Sequence, residues 1–377
     1  MSEPKPPGQP QDPGPKEIGG ISRRKLLASG VAAAPALALL HETVPHQGVH
    51  GALGGNQTST AAAAEGAHGG GHTTASGASA HSDFSAGGTV DHAANGFDPT
   101  EILRDYDYGR TSRLADGRTL REYDLVAVDK EVEVAPGVFY PAWTYNGRIP
   151  GPTLRATEGD LLRIRFTNGS AHPHTVHFHG IHPSFMDGVP GVGENRGAGQ
   201  IEAGESFVYE FGAEPFGLHH YHCHVTPLAD HIAKGLYGTF IVDPKEPREK
   251  ADELVMVMNG FDTNFDRTNE IYAVNTVGFH FLNEPVRVKR DELVRIYLVN
   301  ILEFDLLNSF HIHANFFNYF PTGTSREPSE LTDTVILGQG QRGICELRFP
   351  YAGKFMFHAH VSEFTELGWM GFFEVVE

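Results

Sequence analysis

The 377-residue chain predicts an all-β protein made of two Greek-key β-sandwich domains. Three observations lead there. From about residue 115 the sequence runs in short β-rich segments punctuated by Gly, Pro and Asn. Examples are Tyr123-Asp124-Leu125-Val126-Ala127-Val128 and Leu161-Leu162-Arg163-Ile164-Arg165-Phe166. Amphipathic helical periodicity is scarce over the same region. One block of sequence also occurs twice, with two histidine motifs at matched spacing.

Residues 1–40 read as a twin-arginine-type export signal. Ser22-Arg23-Arg24-Lys25-Leu26-Leu27 leads into an apolar run from Ala28 to Leu40, which is short for a spanning helix. Cleavage or retention as an anchor is left open, and the destination is the periplasm, the cell envelope or the outside. Residues 41–114 are expected to be a disordered linker. Gly, Ala, Ser and His dominate much of it, and His41, His46, His50, His68, His72, His81 and His92 follow no chelating spacing. The first β domain is expected over 115–245 and the second over 246–377, with Pro244-Lys245-Glu246-Pro247 between them. A formal charge of −18 argues against a nucleic-acid partner. There are two cysteines; with Cys223 taken as a ligand, no intrachain disulfide is left. Cys345, in an alternating run, reads as a buried structural thiol.

Metal chemistry is written in the first domain by His222-Cys223-His224, with His231 eight residues beyond the cysteine. A strand turns alternate residues to opposite faces, so Cys223 points away from both flanking imidazoles. A thiolate with imidazoles is the ligand set of a blue copper site. Upstream, His174-Thr175-Val176-His177-Phe178-His179 puts His177 and His179 on one face and lets His174 take the other. The second domain repeats this with His311-Ile312-His313 and His358-Ala359-His360. His179 and His222 are 43 residues apart, and His313 and His358 are 45 apart. The second copy has Asn308 in place of His174 and Ala359 in place of Cys223, and Phe364 and Trp369 occupy the region where His231 would fall. The simplest reading is one thiolate-bound copper in the first domain and a shared cluster fed by four HxH pairs.

Over roughly residues 120–377 these motifs make the chain resemble the multicopper oxidases, specifically the two-domain, laccase-like members with blue copper in the first domain alone. The resemblance implies two cupredoxin-like domains and four coppers per chain. His174, Cys223 and His231 would bind type 1 copper. His177 and His311 would bind type 2, and His179, His222, His224, His313, His358 and His360 the type 3 pair. His231 would lie near the surface as the point of electron entry. Leu236 would stand at the axial position of the type 1 site without ligating, with Met186 as a rival. Asp187 resembles the family's proton-handling carboxylate, and Glu363 and Glu366 are further candidates. The implied reaction is one-electron oxidation of a phenol, aromatic amine or metal ion, coupled to reduction of dioxygen to water. The implied assembly is a homotrimer with clusters between subunits. Two alternatives stand beside it. One is a copper nitrite reductase, a family with Asp where His177 stands and no imidazole at the His224 position. The other is a non-enzymatic copper-binding or electron-transfer protein of the cell envelope. His172, His182, His219, His220 and His280 read as surface or packing residues.

Overall fold

Alternating side chains build the first sandwich. In Leu161–Asn168, Leu162, Ile164 and Phe166 are buried, while Arg163 and Arg165 point away from the core. A computed structural model describes residues 88–192 and 198–377. In it Leu161–Asn168 runs parallel to Thr119–Ala135 and antiparallel to Ser206–Gly212. Arg110–Arg113 and Val138–Tyr145 also pair with the long strand Thr119–Ala135. The facing sheet has the order Tyr106–Asp107, Gly151–Thr157, Tyr237–Asp243, Gly217–His222, His177–Phe178.

The second sandwich repeats the plan. A six-stranded sheet runs Ile271–Val274, Asp252–Phe261, Val294–Asn300, Arg342–Leu347, Phe317–Pro321, Glu330–Thr332. It faces a five-stranded sheet in the order Val286–Lys289, Met370–Val376, Gly353–His358, Leu307–Ile312, Thr334–Gly338. Helices among the described residues span six residues at most, as in Leu228–Ala233, so the all-β expectation is met. None is long and apolar enough to cross a membrane.

Continuous apolar strands mark where the sandwiches meet. Leu254, Met256 and Met258 enter the second-domain core, while Val255 and Val257, on the opposite face, enter an apolar cluster shared by both domains. Ile296 and Leu298 divide from Tyr297 and Val299 in the same way. These strands are covered on both faces, which is why they read as unbroken apolar runs. Leu218 N donates to Thr322 O at 2.8 Å, and Arg342 Nε donates to Leu218 O at 2.7 Å, locking the domains edge to edge.

One expectation is corrected. The linker predicted through residue 114 is structured from His92 onward. Asp91 and Asp98 cap the short helices His92–Asn95 and Pro99–Ile102. Phe97 and Ile102 are buried in the shared cluster and Leu103 in the second-domain core. Averaged composition concealed these anchors beneath the surrounding Gly and Ala. The export signal and residues 41–87 of the linker lie outside the described residues.

Candidate metal centre

Cys223 follows directly on Gly217–His222, and its N–H donates to Leu236 O at 2.9 Å, so the strand geometry carries through the cysteine. Its side chain enters the first-domain core. Sγ lies 3.2 Å from His231 Nδ1 and 3.9 Å from His174 Nδ1, and the two nitrogens are 3.2 Å apart. Thr175 N–H donates to Sγ at 3.4 Å. Ser170 Oγ donates to Asp129 Oδ1 at 2.6 Å and lies 3.0 Å from His174 Nε2. With its proton committed to the carboxylate, the hydroxyl accepts from Nε2–H, which turns the Nδ1 lone pair of His174 toward sulfur.

On the other side of the strand, His177, His179, His222 and His224 gather. The His177 ring centroid is 5.0–5.3 Å from those of the other three, and the Nε2 atoms of His179 and His222 are 2.9 Å apart. His177 Nδ1 lies 2.8 Å from Asp187 O and 3.0 Å from Asp187 Oδ1. His182 Nε2 approaches the same oxygen at 3.3 Å. His222 Nδ1 donates to Cys223 O at 2.8 Å.

The second domain forms a matching quartet. His311 lies 5.2–5.3 Å from His313, His358 and His360, and the Nε2 atoms of His313 and His358 are 3.1 Å apart. His311 Nδ1 donates to Asp333 O at 2.9 Å, with Thr334 Oγ1 at 2.8 Å, and His358 Nδ1 donates to Ala359 O at 2.6 Å. A carbonyl only accepts, so Nδ1 of His177, His222, His311 and His358 carries the proton and Nε2 presents its lone pair. Among the described residues, no hydrogen bond or ring contact joins the two quartets.

Multicopper oxidase family models match residues 127–247 and 249–377. The chain belongs to the multicopper oxidase family. A crystal structure titled as a multicopper oxidase is 65% identical, with a TM-score of 0.74, covering 76% of this chain and all of that one. The blue copper oxidase of Nitrosomonas europaea is 29% identical with a TM-score of 0.60, covering 68% of this chain and 86% of its own. The copper-containing nitrite reductase of Neisseria meningitidis serogroup A is 30% identical over 256 residues, 63% of this chain. The chain spans 64% of that relative's length. The two sandwiches are thus cupredoxin domains of a two-domain multicopper oxidase.

The donor geometry fits copper. An ion held at about 2.0 Å by two imidazole nitrogens keeps them about 3 Å apart, the spacing of both Nε2 pairs. Burial lowers His174 and His222 to about 3, His179 to about 2 and His231 to about 4, so these rings are neutral at pH 7, the form that can bind a metal. Burial pushes the Cys223 thiol up to about 11, so the thiolate forms when a cation displaces the proton.

The structure brings all eleven expected His and Cys ligands into these three groups. His231, expected near the surface, is 4% exposed, with Trp143 over it at 4.8 Å between ring centroids. Leu236 is fully buried in the core that holds Cys223, and Met186 packs against the same core. Glu363 and Glu366 fall in the short helix Ser362–Glu366. His182, expected as a surface or packing residue, contacts the Asp187 carboxylate. Its spacing from Asp187 was the available signal. His219 lies 3.0 Å from the carbonyls of His179 and Pro215, and the His220 ring lies 3.8 Å from that of His179 between centroids, tilted by 33°. Asp129, Trp143 and Ser170 were missed, since no local motif marks them. Cys345 is fully buried in the second-domain core, as expected.

Proposed function

We propose that the chain is a laccase-like oxidase that takes single electrons from a small reductant beside His231 and reduces dioxygen to water at a histidine octet shared by two copies. The observation carrying this reading is the pair of separated, matching quartets, each with two Nδ1 protons held by carbonyls and one pair of Nε2 atoms converging at about 3 Å. In this reading His174, Cys223 and His231 hold one copper, and His177 and His311 a second. His179, His222, His224, His313, His358 and His360 hold two more. Copper at these places supplies reversible one-electron chemistry and, in the cluster, a store of electrons for dioxygen.

The chain's own residues do the rest. Cys223 joins His222 through one peptide bond and through the Nδ1–H···O bond at 2.8 Å, giving two short paths between thiolate and cluster side. Trp143 keeps water from His231. Beside it opens a cavity of about 310 Å³ lined by Tyr140, Trp143, Phe265, Phe304, Asp230 and Lys234. Flat phenols or aromatic amines suit such walls, and a metal ion is the other reductant class. Asp187, between His177 Nδ1 and His182 Nε2, orients one ring and is placed to pass protons. A homotrimer supplies each octet with the first domain of one copy and the second domain of its neighbour. The Arg23-Arg24 signal and its apolar run support twin-arginine export to the periplasm, envelope or outside.

A nitrite reductase is the second reading, favoured by the relative from Neisseria. Imidazoles at His177 and His224 speak for the oxidase. Copper-loaded protein should consume dioxygen with a phenolic donor and leave nitrite untouched. Nitrite turnover exceeding oxygen uptake would reverse the choice.

A further inference from the structure

Away from both quartets, His92, Asp98 and His280 converge, with one donor atom of each within 4.8 Å of the others. They come from three elements. His92 opens the helix His92–Asn95, Asp98 caps Pro99–Ile102, and His280 begins the second-domain helix His280–Asn283. His280 Nε2 is 3.6 Å from Asp98 Oδ1 and 2.8 Å from Thr100 Oγ1. The two imidazoles meet edge to face, 5.0 Å between centroids. His280 is 6% exposed, and His92 Nδ1 is buried with no hydrogen-bond partner among the described residues. A buried ring nitrogen without a partner is unfavourable, and a cation would satisfy its lone pair. A cavity of about 190 Å³ opens beside both rings, with Glu284 in its wall.

We propose that His92, Asp98 and His280 bind one divalent transition ion of the zinc–copper class, in addition to the family's coppers. Two imidazoles and a carboxylate are borderline donors that suit such an ion, and the cavity leaves room for water to complete its shell. A carboxylate–imidazole spacing of 3.6 Å is within a few tenths of an ångström of what bonds near 2.0 Å demand. The bound ion clips the segment ahead of the first sandwich to the second domain, because His280 lies 182 residues beyond Asp98. Its role is structural, since it touches neither the thiolate group nor the quartets.

The test uses the full chain, loaded with copper and then given Zn²⁺ alone. After desalting, the wild type should hold one more ion per chain, copper and zinc counted together, than His92→Ala or Asp98→Asn, and metal loading should raise its Tm by more than theirs. Any metal taken up by the histidines of residues 41–87 is common to all three proteins and cancels in the difference. Blue absorption reports separately on Cys223, so it should be unchanged in both variants and shows whether they fold. Asp98→Asn keeps the side-chain volume and decides the matter if His92→Ala folds poorly. Equal total copper plus zinc and an equal Tm response to metal in wild type and a folded variant overturn the site, whatever the oxidase assay gives.

Discussion

The two domains share a backbone frame and differ in what fills it. In the first, Cys223 N donates to Leu236 O at 2.9 Å and Leu236 N to His231 O at 3.3 Å. In the second, Ala359 N donates to Trp369 O at 3.3 Å and Trp369 N to Phe364 O at 2.9 Å. Ala359, Trp369 and Phe364 therefore stand where Cys223, Leu236 and His231 stand. Even the hydroxyl pinning the next histidine is kept: Thr175 Oγ1 accepts from His224 N at 3.0 Å, and Ser309 Oγ from His360 N at 2.7 Å. Asn308, in the place of His174, is fully buried, and its Nδ2 has no hydrogen-bond partner among the described residues. Such an unpaired donor costs about 1–3 kcal/mol. The fold thus offers the same site twice, and donor identity decides which copy can hold a metal.

The largest expected effect comes from erasing that difference. Cys223→Ala gives the first domain the second domain's residue. Blue absorption should vanish and oxidase activity fall by at least about a thousandfold, with copper at the histidine quartets retained. Ala359→Cys should create no blue absorption, because Phe364 and Asn308 offer no imidazole. A blue Ala359→Cys protein would show that the fold, and not the donor set, selects the domain.

A smaller effect separates Asp187 from Asp333. The Asp187 carboxylate touches His177 directly, whereas Asp333 meets His311 through its carbonyl and reaches it otherwise only by way of Thr334 Oγ1. Asp187→Asn should slow turnover about a hundredfold with blue absorption intact, while Asp333→Asn should stay close to wild type. Equal turnover in the two variants would remove the proton role of Asp187.

The smallest expected effect is on the metal-free protein. His174, His222 and His231 are depressed to about 3, 3 and 4 by burial, below the unfolded value of about 6.5. Unfolding therefore takes up protons, and the stability these rings contribute is present above pH 6.5 and lost as pH falls toward 3–4. Thermal scans should show the metal-free Tm dropping by about 5 °C or more between pH 6.5 and 4.5. A flat profile would place these rings in water.

The clustering of the candidate donors was legible because a strand's period of two fixes which neighbours share a face, and HxH and His222-Cys223-His224 are local patterns. The duplication was legible because both copies kept those patterns. The supports were not. Asp129 reaches Ser170 across 41 residues, and Trp143 comes from another strand to cover His231. Nothing local in sequence encodes such meetings. His182 was within reach of a reading, five residues from Asp187, but one histidine outside an HxH pair looks like packing. The capped helices at His92–Asn95 and Pro99–Ile102 were lost in averaged composition, although Asp91, Asp98 and Phe97 signal them individually.

That no chain completes its own octet can be tested by complementation. A His177→Ala/His179→Ala protein keeps an intact second quartet, and a His311→Ala/His313→Ala protein an intact first one. Each alone should be inactive. Co-expressed in equal amounts, they should form mixed trimers with about one quarter of wild-type activity, because only interfaces pairing the intact quartets work. Activity no greater than either parent's, in trimers proven to be mixed, would contradict a cluster shared between copies.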